Sequence, residues 1–278
     1  MRYVRGERVS FFRSISITNW LIGINVVLFF VFHILNYRYE NLYDLLAIKA
    51  SDIFAGKQIW TIITSMFTHE SGFHLFVNMF SLYFLGNFSE KIVGRKRFIW
   101  LYLLAGVVGG IAFVGFAKLG MGFAKGAALF GGFEDAAVGA SGAIFGLLGL
   151  LAVLVPKNRV YLIVGPLILI IINMILVRYI PESFAGFVNI VFIFLVFLML
   201  FSMLSFNSRL RALALPVAMP LWMAPIVAIV PLMIISFYYP LPIGNTAHFG
   251  GLVAGLAFGF YLRYKYRKKV MMLRRYFR

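Results

Sequence analysis

Long apolar runs dominate this sequence, and they decide which class of fold it can adopt. The chain is 62% hydrophobic and 13% charged, whereas a soluble domain usually carries about 25% charged residues. A soluble fold would therefore lack the polar side chains that must cover its surface. Because about 20 apolar residues span a bilayer, the sequence predicts an all-α polytopic membrane protein. It excludes soluble enzymes, disordered chains and fibrous proteins.

The apolar runs predict about eight transmembrane helices. The predicted segments are 18–36, 59–88, 98–117, 140–155, 160–179, 186–206, 213–237 and 246–263. The fourth segment is shorter than a bilayer is thick, so we expect its first turn to begin inside the membrane.

The basic residues predict the direction of these segments. The net charge is +17, and most Lys and Arg residues precede the first predicted segment or follow an even-numbered one. Cytoplasmic segments carry an excess of Lys and Arg. We therefore expect basic cytoplasmic tails at 1–17 and 266–278 around a membrane domain at 18–265, in the cell membrane. The lipid bilayer, with its anionic headgroups, accounts for the charge without a nucleic-acid partner.

Several kinds of active site are disfavoured by the residue types. The chain has no cysteine, which removes thiolate catalysis and cysteine metal sites. Its acids fall in tails, loops or segment ends, unlike those of aspartyl intramembrane proteases and proton-coupled transporters. His69 and His74 resemble a zinc motif, but their i+5 spacing places them about 140° apart on a helix instead of on one face. Neither a metal nor a cofactor is expected.

One serine lies between small residues at the start of the fourth segment, in Gly139-Ala140-Ser141-Gly142-Ala143-Ile144-Phe145-Gly146. Alone, such a serine is more often a helix N-cap among residues that allow close helix packing. The last segment also begins with an ionisable residue, His248, and Gly251 and Gly255 follow on the same helical face. A histidine on a membrane helix calls for a functional explanation. Gly142 supplies a matching small residue on the serine helix, so we expect the two helices to approach closely.

Direction and spacing add support for a catalytic site. Ser141 and His248 both begin segments that run inward, so they lie at the same depth. His74 and Asn78 are spaced i, i+4 on one face of the second segment. With the backbone N–H of Ser141, they could donate hydrogen bonds to an oxyanion. The alternative for His74 and Asn78 is ordinary hydrogen bonding between helices.

Together these motifs resemble the rhomboid family of intramembrane serine proteases. The matching stretches are 60–78, 90–98, 139–146 and 247–259. The resemblance implies that Ser141 is the nucleophile and His248 the general base of a dyad without an acid. It also implies that His74 and Asn78 stabilise the oxyanion, and that the catalytic ring rests on Phe145. Gly139, Gly142, Gly251 and Gly255 would support this arrangement.

Some features depart from the family pattern. The segment 37–58 is similar to the family's membrane-embedded first loop, but the family's usual Trp-Arg pair is here Trp60-Thr61. The family core has six spans, so two extra spans are expected within 160–237. The seventh segment contains four prolines that are expected to interrupt its helical hydrogen bonds. They are Pro216, Pro220, Pro225 and Pro231.

The resemblance implies a serine endopeptidase that hydrolyses peptide bonds in or near transmembrane segments of membrane proteins. Its active site would open to the outer aqueous face, and its substrates would be transmembrane proteins. Two alternatives remain open. One is a catalytically inactive rhomboid-like protein that binds membrane-protein clients, and the other is a transporter. A transporter would be expected to carry intramembrane charge or repeated broken helices.

Overall fold

The computed structural model describes residues 15–39, 41–238 and 244–277 of the chain. Most of the predicted N-terminal tail, 1–17, therefore lies outside the described residues. The chain divides into two compact units. The first combines Met1–Pro156 with Pro225–Arg278, and the second is Lys157–Ala224.

Helices make up most of the described chain, with four short strands between them. In chain order the elements are α1 (Ile17–Arg38), α2 (Leu42–Leu46), β1 (Ile48–Lys49), α3 (Ala50–Phe54), α4 (Thr61–Thr64), α5 (Gly72–Val93), α6 (Arg95–Gly120), α7 (Gly126–Phe130), β2 (Ala136–Ala137), α8 (Ser141–Leu154), β3 (Arg159–Ile163), α9 (Val164–Leu176), α10 (Glu182–Ser202), α11 (Ser208–Ala212), β4 (Pro216–Pro220), α12 (Ala224–Tyr238), α13 (Asn245–Lys265) and α14 (Arg267–Tyr276). A single 3-10 turn, Ser65–Phe67, follows α4.

The first unit is built around α8, which packs against α13, α6 and α5. Large apolar side chains without solvent exposure fill the space between these helices, among them Phe98, Leu101, Leu147 and Leu150. Segment 37–58 forms α2, β1 and α3, and β1 pairs with β2, so that Ile48 lies opposite Ala137. This ribbon ties the segment to the loop that leads into α8.

The second unit consists of two apolar helices, the short helix α11 and a ribbon. β3 and β4 are antiparallel, and Ile163 lies opposite Pro216. Helix α9 packs along α10, and Nδ2 of Asn173 donates to Oδ1 of Asn189 at 2.8 Å. A polar pair of this kind holds apolar helices in one register.

The prediction of an all-α fold needs a correction. Each predicted apolar segment contains a helix, but β3 occupies the start of the fifth segment and β4 the start of the seventh. A short apolar run predicts burial or lipid contact without distinguishing strand from helix. The fold is therefore mostly helical, with two short antiparallel ribbons.

The expectation that four prolines interrupt one helix is also wrong. Pro216 and Pro220 are the end residues of β4, where a residue without an N–H is tolerated. Pro225 lies in the first turn of α12, where N–H groups have no acceptor within the helix. Only Pro231 lies inside α12.

The lengths and compositions of the helices are those of a membrane protein. Among the described helices, α1, α6 and α10 are both long and apolar enough to cross a bilayer. Helices α5 and α13 have 22 and 21 residues but carry the polar residues of the candidate site. Helix α8 has 14 residues, about 21 Å in length, which is less than the roughly 30 Å hydrocarbon core. The chain is a helical membrane protein, and the total of eight spans remains a prediction.

A buried acid joins the first helix to the bundle. The carboxylate of Glu90, near the end of α5, accepts from the backbone N–H groups of Ile17 and Thr18, both at 2.9 Å. It also accepts from Oγ1 of Thr18 at 2.8 Å. The first N–H groups of a helix have no acceptor within it, and a negative charge there is favoured by the helix dipole. Glu90 therefore fixes the start of α1 against α5.

The predicted basic C-terminal tail, 266–278, is mostly helical. Helix α14 begins directly after Tyr266, and Val270 of this helix is buried against the core of the first unit. The guanidinium of Arg274 donates to the backbone carbonyls of Val153 and Leu154. These carbonyls belong to the last turn of α8, where they have no partner within the helix.

Candidate active site

A strained turn places Ser141 at the start of α8. Gly139 has φ +118°, a conformation that residues with a Cβ rarely adopt, and its N–H donates to the carbonyl of Ser65 at 2.8 Å. A Cβ on Gly139 would lie 2.7 Å from Nε2 of His74. Glycine is therefore required both by the backbone and by the neighbouring ring. Because Ser141 is the first residue of α8, its N–H has no acceptor within the helix.

His248 reaches Ser141 from the first turn of α13. Its Nε2 lies 2.8 Å from Oγ of Ser141, within the range needed for proton transfer. The start of α13 is held by Thr246, whose Oγ1 donates to the carbonyl of Phe130 at 3.1 Å. His248 is 8% exposed. The serine and histidine predicted from the two motifs are thus brought together, although 107 positions separate them.

One ring contact and one nitrogen without a hydrogen bond define the surroundings of the His248 ring. The ring of Phe145 stacks on it, with centroids 4.4 Å apart and planes at 12°, as the resemblance implied. Among the described residues, nothing hydrogen-bonds to Nδ1 of His248. The geometry is therefore a serine–histidine pair without a neighbouring carboxylate, and stacking takes the place of a third residue in orienting the ring.

Glycines on α8 and α13 allow Nε2 of His248 to come within 2.8 Å of Oγ of Ser141. A Cβ on Gly251 would overlap the carbonyl oxygen of Gly142, and one on Gly255 would overlap that of Gly146. The two helices therefore touch along their backbones, where larger side chains would hold them apart. The predicted small-residue stripes meet as expected.

His74 and Asn78 lie beside the turn that precedes the serine. Besides Nε2 of His74, Nδ2 of Asn78 lies 3.7 Å from the Cβ position of Gly139. Asn78 uses one amide proton to bond the carbonyl of His74 at 3.0 Å, and its second proton stays available to a ligand. Helix α5 begins at the cap of Ser71, whose Oγ accepts from the N–H of His74 at 3.2 Å. The predicted oxyanion donors and the serine thus border one space.

His69 has a place in the site that the sequence did not indicate. It was considered above only as part of a zinc-like motif. Its side chain is 1% exposed, and its ring lies 5.2 Å from that of His74 in an edge-on arrangement. In the part of the chain that the structure describes, no three His, Cys, Asp or Glu residues cluster as a metal site would require. His69 lies in the non-helical stretch 68–71 that precedes α5, and the polar residues of this stretch are the signal that could have indicated a loop.

Comparison with known proteins identifies relatives of this chain. Residues 56–191 match the family model described as "Rhomboid domain". The chain is 31% identical over 146 residues to "Rhomboid protease GluP" of Bacillus subtilis, which covers 52% of this chain and 25% of that protein. It is 31% identical over 147 residues to "Rhomboid protein 1, mitochondrial" of Saccharomyces cerevisiae, covering 52% of this chain and 38% of that protein.

A third relative carries a different description. The chain is 39% identical over 74 residues to "Inactive RHOMBOID-like protein 8" of Arabidopsis thaliana, covering 27% of this chain and 21% of that protein. Each match thus covers well under half of the relative's length. The similarity extends to proteins named as proteases and to one named as inactive.

Proposed function

Since the chain belongs to the rhomboid family, we propose that it is an intramembrane serine endopeptidase that cleaves transmembrane proteins through Ser141 and His248. The observation that carries the proposal is the 2.8 Å separation of Nε2 of His248 from Oγ of Ser141. A serine hydroxyl is a weak nucleophile until a base within hydrogen-bond reach accepts its proton. The packing of α8 on α13 brings the imidazole of His248 within this reach, which supports the proposal.

The reaction follows from the positions of these groups. Nε2 of His248 takes the proton as Oγ of Ser141 attacks the scissile carbonyl. The oxyanion that forms is stabilised by the N–H of Ser141 and by the side chains of His74 and Asn78. The imidazolium then protonates the leaving amine, and an acyl-enzyme remains. Water, deprotonated by the same histidine, releases the second product. No metal or cofactor takes part.

The proposed substrate is a membrane protein with a transmembrane helix that unwinds locally. A peptide carbonyl inside an intact helix is hydrogen-bonded and cannot be attacked. Helix α8 is shorter than the hydrocarbon core, which supports a site below the membrane surface that water enters from one side. We place this side at the outer face and both termini in the cytoplasm, following the distribution of Lys and Arg.

The alternative is a non-catalytic relative that binds membrane-protein clients. It is supported by the similarity to a protein named as inactive. Such a protein has no need of a serine–histidine hydrogen bond, a stacked Phe145 or donors beside the serine. This chain has all of them, which favours the protease.

The test is cleavage of single-span model substrates by the purified protein in proteoliposomes. The wild-type protein should cleave them, and Ser141→Ala and His248→Ala should each lose about 10⁴-fold in kcat/KM. Ser208→Ala is the matched control, because this serine is exposed at the start of α11, and its activity should be unchanged. Binding of the substrates without cleavage by the wild-type protein would favour the client-binding alternative. Cleavage that persists in Ser141→Ala would refute the dyad.

A further inference from the structure

Helix α14 is a basic amphipathic helix that is docked along one face only. Val270 is buried, Leu273 and Arg274 are half-buried, and Phe277 just beyond the helix packs edge-on against Phe88 at 5.4 Å. These positions follow the i, i+3, i+4, i+7 spacing of a single helical face. The docked face is therefore accounted for by contacts within the first unit.

The start of the helix is held as firmly as its docked face. Tyr266 separates α13 from α14, and its hydroxyl accepts from Nη2 of Arg97 at 2.9 Å. The guanidinium of Arg97 also lies 4.6 Å from the centre of the Tyr266 ring. Because α13 belongs to the membrane domain, this short connection keeps α14 at the end of the bundle.

The opposite face, here called the α14 free face, has no partner of opposite charge within the described part of the chain. It consists of Lys268, Lys269, Met271, Met272 and Arg275, all of them exposed. No acid follows Glu182 in the sequence, and no salt bridge among the described residues involves α14. Cations at this density repel one another unless an outside anion neutralises them.

We propose that the α14 free face is a binding surface for the phosphate groups of anionic phospholipids. Met271 and Met272 are 48% and 63% exposed, and they lie between the cations. Alternating cations and apolar side chains suit a helix at the lipid interface, where the charges contact headgroups and the apolar groups contact acyl chains. A uniformly acidic peptide such as polyglutamate would leave the methionines without an apolar partner.

The position of α14 gives this surface a consequence for the serine helix. The docked face carries Arg274, which bonds the last carbonyls of α8, and the first residue of α8 is Ser141. Lipid bound to the free face stabilises the docked helix, since any ligand that binds the folded form stabilises it. Anionic lipid should therefore raise the thermal stability of the bundle that holds Ser141. Zwitterionic lipid should have no such effect.

The experiment is a titration of the purified full-length protein in neutral detergent with short-chain phosphatidylglycerol, followed by native mass spectrometry. Phosphatidylcholine of the same chain length is the control lipid. The double substitution Lys268→Gln/Arg275→Gln should weaken phosphatidylglycerol binding about 10–30-fold, because each cation near an anionic surface contributes a factor of roughly five. Binding by the wild-type protein should also weaken as salt rises.

Two matched variants decide whether the effect belongs to this face. Lys91→Gln/Lys96→Gln removes the same charge from exposed positions around the α5–α6 junction, and it should change binding less than threefold. Lys268→Arg/Arg275→Lys keeps the charge and should bind as the wild type does. If Lys91→Gln/Lys96→Gln weakened phosphatidylglycerol binding as much as Lys268→Gln/Arg275→Gln does, the proposal would be overturned. The lipid would then be attracted by all basic segments of the protein alike. Stronger binding of a polyglutamate peptide than of phosphatidylglycerol would identify a protein-docking surface instead. Equal affinity for the two lipids would also overturn it.

Discussion

Gly251 and Gly142 lie in backbone contact, so that a single methyl group on Gly251 would overlap the carbonyl oxygen of Gly142. This contact sets the distance between α8 and α13 one turn away from the serine–histidine hydrogen bond. The facing surfaces of the two helices are mainly apolar, and hydrophobic contact alone does not fix how closely two membrane helices approach. The pair of glycines therefore determines whether the hydroxyl and the imidazole can meet.

Gly251→Ala should separate α8 from α13 and reduce both stability and activity. Overpacking of a buried contact typically costs about 1–3 kcal/mol in the free energy of unfolding, and the backbone carbonyl cannot move aside as a side chain could. Cleavage of a model substrate should fall by more than the folded fraction does. Gly115→Ala in α6 is the control, because no atom lies within 4 Å of its Cβ position. Gly115→Ala should leave the free energy of unfolding unchanged or raise it slightly. Equal unfolding temperatures for both variants would contradict the role of the Gly142 contact.

His74→Ala and Asn78→Ala should each lower kcat by roughly 10²–10³-fold with little change in KM. Donors to an oxyanion act on the transition state, so their loss affects kcat more than substrate binding. Asn87→Ala is matched to Asn78→Ala, because each asparagine donates to the carbonyl four residues earlier in α5. Asn87 belongs to the α1–α5 contact instead of the site. The Asn87→Ala protein that folds should therefore have the kcat of the wild type. A change confined to KM in both site variants would assign them to substrate positioning.

Glu90→Ala should lower the free energy of unfolding by about 2–4 kcal/mol, because it leaves three hydrogen-bond donors at the start of α1 without an acceptor. The measurement is thermal or denaturant unfolding of the purified protein. Glu134→Ala removes an exposed acid and should change stability by less than about 0.5 kcal/mol. Glu90→Gln keeps one acceptor oxygen, so its free energy of unfolding should lie between those of Glu90→Ala and Glu134→Ala. A Glu90→Ala protein as stable as Glu134→Ala would show that α1 is held by apolar packing alone.

The proposed membrane orientation predicts which introduced cysteines a membrane-impermeant thiol reagent can reach in intact cells. The chain has no cysteine of its own. Glu134→Cys, in the loop before the serine, should be labelled from outside, whereas Lys96→Cys and Ser208→Cys should not. All three positions are exposed, so permeabilised cells should give labelling at each. Labelling of Lys96→Cys and protection of Glu134→Cys in intact cells would reverse the orientation.

Much of the candidate site could be predicted from local sequence patterns. Ser141 among small residues, His248 followed by glycines, and His74 four positions before Asn78 are each visible within one turn or two of helix. Their common depth in the membrane remains a prediction from counting apolar segments. The local patterns found residues that the structure brings together, because helical periodicity constrains side-chain positions without reference to distant residues.

Other features depended on long-range contacts that no local pattern contains. The burial of His69 behind His74 and the capping of α1 by Glu90 join parts of the chain whose relation the motifs do not specify. The strands β3 and β4 lie in predicted apolar segments that also contain helices, and an apolar run does not distinguish strand from helix. Docking of α14 was equally hidden, since a basic segment has the same composition whether it is free or folded.

The sequence by itself thus determined the class of protein and the residues of the candidate site, because bilayer thickness, helical spacing and residue chemistry are local constraints. Only the tertiary structure decided the contact distances: 2.8 Å between His248 and Ser141, and backbone contact between Gly251 and Gly142. The proposed catalysis depends on these distances to within a fraction of an ångström. The glycines permit such an approach, but the packing of the whole bundle around α8 and α13 sets it.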